Sequence, residues 1–529
     1  MFNRFPIFRK WVPEWLIRII LFSLFLPGIM LFFLPMANIP AAAGYYGCEP
    51  ADVQFMVALF YVGYTGFYAL ERRFFSFFAA KEYFMIYTCL NIALAFVCYR
   101  TTDLFVLFPV RFVQGMLFAS TVNLSLSTMF TRLKSERARE ISFSVFFGVL
   151  ICALPFNNLI TADLIDASDF KVVYKLALFS YVPGLFLLLV SMNNIRLVKP
   201  FPLKKLDWPG FVLYTLILLL IGYCLIFGQE YYWMTDRRIR YSVIAIGGLS
   251  VVYVLRQKHM KRPYIDLSVF RFRNYLVGIL LLFIMYICRF AVGITNTYFL
   301  TVLKLDPIHV SYINGWNMAG LILGVVIACL LILQHKNIRL IWLAGFGALL
   351  TYYCWMFFLF NPEADETQFH LPLLIQGFGV GWLMVPTIVF AISSVPKALG
   401  VAASAYCLAT RYLGFCVSIA LINYYELFGK SKHYNAFQDR LTWMNPVVKK
   451  MLASNAHKLT SRGLSPAQIT KGSEKLLLQA VNRQNQLRFG MDYYEMMSWI
   501  LIGTIFFIAF FPYVNRTAVY LKSKILTPA

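Results

Sequence analysis

Charge is what this chain has least of. Asp, Glu, Lys and Arg make up 14% of its 529 residues and 60% are hydrophobic, whereas about a quarter of a soluble globular protein is charged. Too little polar surface is available to face water over a compact body, so a soluble fold is excluded. Histidine is scarce too: His259, His309, His335, His370, His433 and His457 are scattered along the chain, without the clustering a catalytic or metal centre needs. No glycine-rich loop with a following lysine is present to cradle a phosphate, which argues against direct drive by ATP. Most cysteines (Cys89, Cys152, Cys224, Cys288, Cys329, Cys354, Cys407 and Cys416) fall inside apolar runs, where they act as small hydrophobes. Their spacing frames neither a zinc site nor a set of disulfides. The expectation is a protein without enzymatic activity, cofactor or metal. The basic start MFNRFPIFRKW leads into a full-length apolar run with no small-residue cleavage site, so no secretory signal is expected either.

What the chain has instead is long apolar runs. A helix needs about 20 apolar residues to cross a bilayer, and fourteen windows qualify: 16–40, 53–70, 83–99, 104–129, 141–160, 172–192, 209–228, 240–255, 275–302, 309–333, 339–360, 370–392, 399–425 and 494–514. The fold class that follows is an all-α polytopic membrane protein. An even count puts both termini on one side. Loops on that side, among them RFPIFRK, TRLKSERARE, RLVKPFPLKK and RQKHMKRPYIDLSVFRFR, are basic, while TADLIDASDF and NPEADETQFH on the other are acidic. The positive-inside rule therefore makes both termini cytoplasmic. It also accounts for the net charge of +24 without a nucleic-acid partner; the lipid bilayer is the partner.

Span four, LFVLFPVRFVQGMLFAS, carries one arginine, Arg111, followed by Gln114 and Gly115. A charge at bilayer depth costs about 3 kcal/mol or more on insertion scales, so such a residue is a functional hypothesis by default. The competing reading is an arginine that snorkels to the nearer interface. Span twelve repeats the pair in LLIQGFGVGWLMV as Gln376 and Gly377, a weak internal repeat of the kind found in two-halved transporters. The division that follows is a cytoplasmic N-terminus (1–15), an N-terminal six-helix half (16–192), a linker (193–273) with an inserted transmembrane hairpin (209–255), a C-terminal six-helix half (274–514) and a cytoplasmic tail (515–529). Span one holds Pro27, Pro35 and Pro40. Proline removes helix hydrogen bonds, and such interruptions are tolerated where they line a cavity or face protein. Candidates to line a midplane substrate cavity are Asn38, Tyr64, Arg289, Asn296, Trp316, Asn317 and Gln376.

Residues 426–493 form a long polar loop inside the C-terminal half. Ser465 and Gln468 make a capping-box pattern around Pro466 at the first helical position, and Leu477, Leu478, Val481 and Leu487 recur at helical spacing. This predicts an external helical hairpin. Its apolar stripe packs on the protein's own surface, lies in the lipid interface or docks a partner.

With these residues assembled, the chain resembles the major facilitator superfamily, and within it the fourteen-span drug:proton antiporters of the EmrB/QacA type, over nearly its whole length. Arg111, Gln114 and Gly115 look like the superfamily's fourth-span motif. RPYIDLSVFRFRNYLVG (262–278) is similar to the segment leading into span nine, and GVAASAYCLATRYLGFCVSIAL (400–421) to span thirteen, with Arg411 and Gly414 on matching positions. The resemblance implies two halves rocking around a midplane site. It implies transport or gating roles for Arg111, Gln114, Gly115, Glu71, Arg72, Pro155, Arg411 and Gly414. Through the loop containing GLSPAQ it implies a periplasmic membrane-fusion adaptor as partner, and so a bacterial inner membrane. The departures are specific. LERRFFSFFAAK keeps Glu71 and Arg72 but has Phe where glycine is expected, span five retains only Gly148 and Pro155 of a Gly- and Pro-rich motif, and Leu31 stands where span one usually carries aspartate. A proton antiporter needs a group that binds and releases a proton at depth, and the spans offer almost no carboxylate. The expectation is multidrug-type efflux of amphipathic small molecules by alternating access, with protons as the candidate coupling ion. The alternative is uptake or facilitated transport of an organic anion held by Arg111 and Arg289; a non-transporting receptor or scaffold is a distant third.

Overall fold

The computed structural model describes residues 8–75, 77–132, 138–195, 206–260, 263–334, 337–442, 444–461 and 464–510. Among the described residues there is no β-strand, only an isolated bridge between Phe8 and Met192. Fourteen helices among the described residues are long and apolar enough to cross a membrane: Glu14–Tyr46, Pro50–Glu71, Ala80–Arg100, Leu104–Val122, Glu140–Ala167, Lys171–Ser191, Trp208–Phe227, Arg237–His259, Arg273–Thr301, Pro307–Leu333, Ile338–Leu359, Glu366–Ser393, Lys397–Gln438 and Pro466–Phe510. Each overlaps its sequence window, so the same numbering of spans holds.

Span one is broken, and its sequence says where. The helix runs through Pro27 to Phe33, tightens into a 3₁₀ turn at Leu34–Asn38 and resumes at Ile39–Tyr46. Pro35 has no N–H to offer the carbonyl four residues back, that of Leu31. The resumed helix starts correctly: the Asn38 side chain accepts from Ala41 N at 3.1 Å, and Pro40 occupies the first turn, where a missing N–H is harmless. Span nine breaks as well, between Arg289 and Val292. No proline announces that break, and the sequence reading of one continuous helix missed it.

The two breaks are related by the internal repeat. In the N-terminal half Gly63 of span two lies against the Phe112 carbonyl of span four, and Gly115 of span four lies against the Phe60 carbonyl of span two. In the C-terminal half Gly320 meets the Leu374 carbonyl and Gly377 the Asn317 carbonyl. Any Cβ at these positions would overlap backbone, so each pair of helices crosses as closely as two helices can. The register is identical in the two halves. The shift that carries Gly63 onto Gly320 carries Phe33 onto Phe290, and these two rings meet at 6.4 Å, as residues on a pseudo-two-fold axis do.

The inserted hairpin, spans seven and eight, lies along the seam between the halves. Span seven packs its Thr215 on Gly66 of span two, and its Leu218 carbonyl accepts from the Tyr412 hydroxyl of span thirteen at 2.9 Å. Asp207 caps span seven through Gly210 N and pairs with Arg256 of span eight at 2.7 Å. Span eight presents Val251, Val252 and Leu255 outward, a face suited to lipid.

The external hairpin is present but built differently from the expectation. Its first helix, Pro446–Thr460, is capped by Asn445. Its second is not separate from span fourteen: Pro466–Phe510 is one helix of 45 residues, roughly 67 Å long at 1.5 Å per residue. No proline interrupts the sequence between 467 and 510. Gln468 closes its start by accepting from Ser465 N at 3.1 Å. Of the predicted stripe, Val481 and Leu487 are buried, and Leu478 stays exposed.

A candidate transport site on the seam between the halves

The seam is closed from its middle to the end remote from the N-terminus. At that far end the Asn423 amide donates to Gln54 Oε1 at 3.4 Å and to the Ile226 carbonyl at 3.3 Å, joining both halves and the hairpin. In the loop between spans seven and eight, burial and a hydrogen bond shared with Glu49 push the Glu230 carboxyl up to about 7. Near the middle, Tyr61 of span two packs on Tyr412 and Phe415 of span thirteen at 5.6 and 6.0 Å.

One buried arginine and one buried glutamine tie off the helix breaks. Arg111, fully buried, donates to the carbonyls of Leu31 at 2.9 Å and Phe32 at 2.8 Å. Leu31 is the acceptor that Pro35 left without a partner. Gln114 accepts from the same guanidinium at 2.9 Å, and the Phe60 ring lies 4.8 Å beneath it. In the C-terminal half Gln376 does the corresponding work: its amide donates to the carbonyls of Cys288 at 3.2 Å and Arg289 at 3.3 Å. Cys288 and Arg289 are the positions onto which the repeat carries Leu31 and Phe32. Asn317 donates in turn to Gln376 Oε1.

Arg289 crosses the seam. Its guanidinium donates to the Leu150 and Ile151 carbonyls of span five at 3.3 and 3.2 Å. Ile151 is the acceptor freed by Pro155, four residues on. Span five reaches span one as well, Asn157 donating to the Met30 carbonyl at 2.8 Å. Arg111 and Arg289 are thus held by backbone dipoles rather than acids, an arrangement that keeps a charge and a proline-freed carbonyl both satisfied inside an apolar bundle.

The third buried arginine is different. Arg411 of span thirteen is 3% exposed; its Nε donates to the Tyr286 hydroxyl at 2.9 Å. Its plane lies over the rings of Phe147 and Tyr286 at 5.2 and 5.5 Å. It faces a cavity of about 30 Å³ lined from both halves: Tyr64, Tyr68, Val122, Phe143, Phe146 and Phe147 on one side, Ile388, Ile392, Ser404, Cys407 and Leu408 on the other. These positions fall late in spans two, four and twelve and early in spans five and thirteen, so the cavity lies toward the N-terminal end of the bundle.

The profile of the Major Facilitator Superfamily matches residues 19–419. The chain belongs to this superfamily. Among curated proteins it is similar to the probable multidrug resistance protein EmrY of Escherichia coli K12, 23% identical over 428 residues, covering 77% of this chain and 79% of that one. It is also similar to the colistin resistance protein EmrB of Acinetobacter baumannii, 24% identical over 261 residues. There the match takes in 46% of this chain and spans about half, 48%, of that protein. Among solved structures, a POT family transporter in complex with a thioalcohol-conjugated peptide superposes with a TM-score of 0.62 at 12% identity, covering 95% of this chain and 97% of that one. This protein is therefore a major facilitator transporter and not an enzyme, with two six-helix halves and an inserted hairpin.

Of the residues singled out from sequence, the structure brings Tyr64 and Arg411 to the cavity, and Gly414 packs beside them against Tyr286. Arg111, Gln114, Gly115, Arg289, Asn317 and Gln376 sit in the close crossings and helix breaks around it. Asn38 caps the second part of span one, and Asn296 accepts from Asn314 at 3.1 Å. Trp316 lies apart: it is 45% exposed and stacks on His370 at 5.1 Å, where it does not line the seam cavity. Glu71 accepts from the Tyr83 hydroxyl at 3.0 Å at the N-terminal end of the bundle; the side chain of Arg72 lies outside the described residues. Sequence reasoning missed Tyr68, Phe143, Phe146, Phe147 and Ser404. With 51 Phe and 32 Tyr in the chain, no aromatic position stood out.

Proposed function

We propose that this transporter exports amphipathic small molecules from a bacterial cell by alternating access, with both termini cytoplasmic and the protein in the inner membrane. One observation carries the reading: among the described residues the only charged side chain lining the seam cavity is Arg411, and the rest of that wall is mostly aromatic and aliphatic, contributed by both halves. Such a wall accepts an apolar body and one polar group. The closed far end and the cavity toward the N-terminal end fit a carrier that loads on the cytoplasmic side. The names of the similar proteins, multidrug and colistin resistance, support export, and the basic loops support the orientation.

Protons are the candidate coupling ion. Purified protein in liposomes, loaded with an amphipathic weak-acid dye, tests both points: dye flux should rise several-fold when a pH gradient is imposed. Flux equal in protein-containing and empty liposomes would overturn the transport reading, and protein-dependent flux indifferent to the gradient would overturn proton coupling alone. Residues 426–493 are the proposed dock for a membrane-fusion adaptor, since Met444, Val447, Met451 and Leu478 leave apolar surface exposed on the external hairpin. Site-directed crosslinking from Val447 to a co-expressed adaptor, compared with Val252 on the lipid-facing hairpin, tests it.

A further inference from the structure

We infer that Arg411 is the anchor for an acidic group on the substrate, so that the transported class is amphipathic organic anions. This inference rests on the transporter reading and narrows it. Three arginines are buried in the described part of the bundle, and their satisfaction differs. Arg111 and Arg289 each donate to two backbone carbonyls. Arg411 makes one hydrogen bond, through Nε to Tyr286. Its two terminal nitrogens have no acceptor among the described residues, and no carboxylate lines the cavity they face.

Guanidinium nitrogens left without acceptors in an apolar bundle carry an unfavourable desolvation term. The fork of terminal N–H groups matches a carboxylate or sulfonate in a two-point hydrogen bond. The rings of Phe147 and Tyr286 and the Nε bond fix the plane of that fork, so little freedom is lost on binding. The hydroxyls of Tyr64 and Tyr68 stand in the same lining and are further donors for the oxygens of the anion. The phenylalanines and isoleucines opposite take the apolar body. At about 30 Å³ the cavity has room for about one water, so a substrate is admitted only as the seam opens; the anchor is in place before it arrives.

The test is binding of a matched trio to full-length protein in lipid nanodiscs, below micelle-forming concentration: 4-octylbenzenesulfonate, the uncharged 4-octylbenzenesulfonamide and the cationic 4-octylbenzyltrimethylammonium. The anion should bind at least about tenfold more tightly than the other two, the discrimination expected of a charge-assisted hydrogen-bonded pair. Arg411→Gln should remove that preference and leave sulfonamide binding within about twofold, while Arg411→Lys, which keeps the charge but not the fork, should retain part of it. Equal binding of all three by the natural protein overturns the anion anchor and leaves the transporter reading standing. A preference that survives in Arg411→Gln overturns the assignment to Arg411. Should that variant not fold, the trio on the natural protein and on Arg411→Lys decides. Absence of binding and of flux for every member of the trio counts against the transporter reading itself.

Discussion

Replacing Arg111 with methionine separates a residue that holds the bundle together from one that handles substrate. Methionine fills similar volume but leaves the Leu31 and Phe32 carbonyls without their donors. A buried acceptor stripped of its partner costs about 1–3 kcal/mol, so Arg111→Met should destabilise the protein by about 2–6 kcal/mol. The source of the vacancy gives a second handle. Leu31 lacks a helix donor because residue 35 is proline, so Pro35→Ala returns an N–H to that carbonyl. Introduced into Arg111→Met, Pro35→Ala should restore about 1–3 kcal/mol; in the natural protein, where the carbonyl already has its partner, it should not. The double-mutant cycle reads this coupling directly, by denaturant unfolding of the purified proteins in mixed micelles with flux measured in parallel. Additive effects, or an Arg111→Met protein within about 0.5 kcal/mol of natural stability but unable to transport, would refute the cap and return Arg111 to the substrate path.

Arg289 ties span nine to span five across the seam, so Arg289→Met should loosen the closed far end. With the exposed Cys89 and Cys354 replaced, maleimide labelling of Ile226→Cys, 1% exposed in the closed state, should rise several-fold; unchanged labelling would show that the tie does not hold the seam. Gly115→Ala and Gly377→Ala each place a methyl against the backbone of the neighbouring helix and should destabilise by about 1–3 kcal/mol, as overpacking does. Gly247→Ala, with nothing within 4 Å, should stay within about 0.5 kcal/mol. The Glu230 carboxyl is raised to about 7. Its contribution is therefore fully present below the ordinary glutamate range and is lost as pH rises through about 7. Unfolding between pH 5.5 and 8 should show this decline in the natural protein and a smaller one in Glu230→Gln; identical slopes would remove Glu230 from the account.

The number of spans, the inserted hairpin and the two-halved plan were legible because each rests on a signal the bilayer enforces: 20-residue apolar runs, and glycines where helices cross. The repeat was visible only as one Gln-Gly pair, Gln114-Gly115 and Gln376-Gly377. Its full register needed the crossings at Gly63 and Gly320, which look like ordinary glycines in sequence. Pro35 gave the break in span one, whereas the break in span nine has no local marker and is held by distant groups: the Gln376 amide, Tyr353 donating to the Cys288 carbonyl at 3.0 Å and Ser418 donating to the Ile287 carbonyl at 3.1 Å. Such support is assembled by tertiary packing and has no periodicity to read. The same applies to the arginines. From sequence Arg111, Arg289 and Arg411 are all isolated charges in apolar spans, and only their acceptors distinguish two caps on proline-freed carbonyls from one cation facing a cavity.

That distinction bears on how a proton gradient would drive this carrier. A guanidinium stays protonated throughout the accessible pH range, so Arg411 cannot itself load and release a proton. Among the described residues the buried carboxylates of the spans and their ends, Glu71, Glu140 and Asp207, lie toward the N-terminal end of the bundle, and none lines the cavity. The remaining proton carrier at the site is the substrate. A weak acid that binds Arg411 as its anion and takes up a proton from the medium on the side of release couples its own passage to pH, whereas a permanently charged sulfonate cannot. In liposomes, after subtraction of flux through empty vesicles, a pH gradient should therefore accelerate protein-dependent movement of 4-octylbenzoate several-fold and leave that of 4-octylbenzenesulfonate unchanged. Equal acceleration of the two would refute substrate-borne coupling and move the proton to a group of the protein, with Glu71, bound to Tyr83 beside span two, as the first to substitute by glutamine.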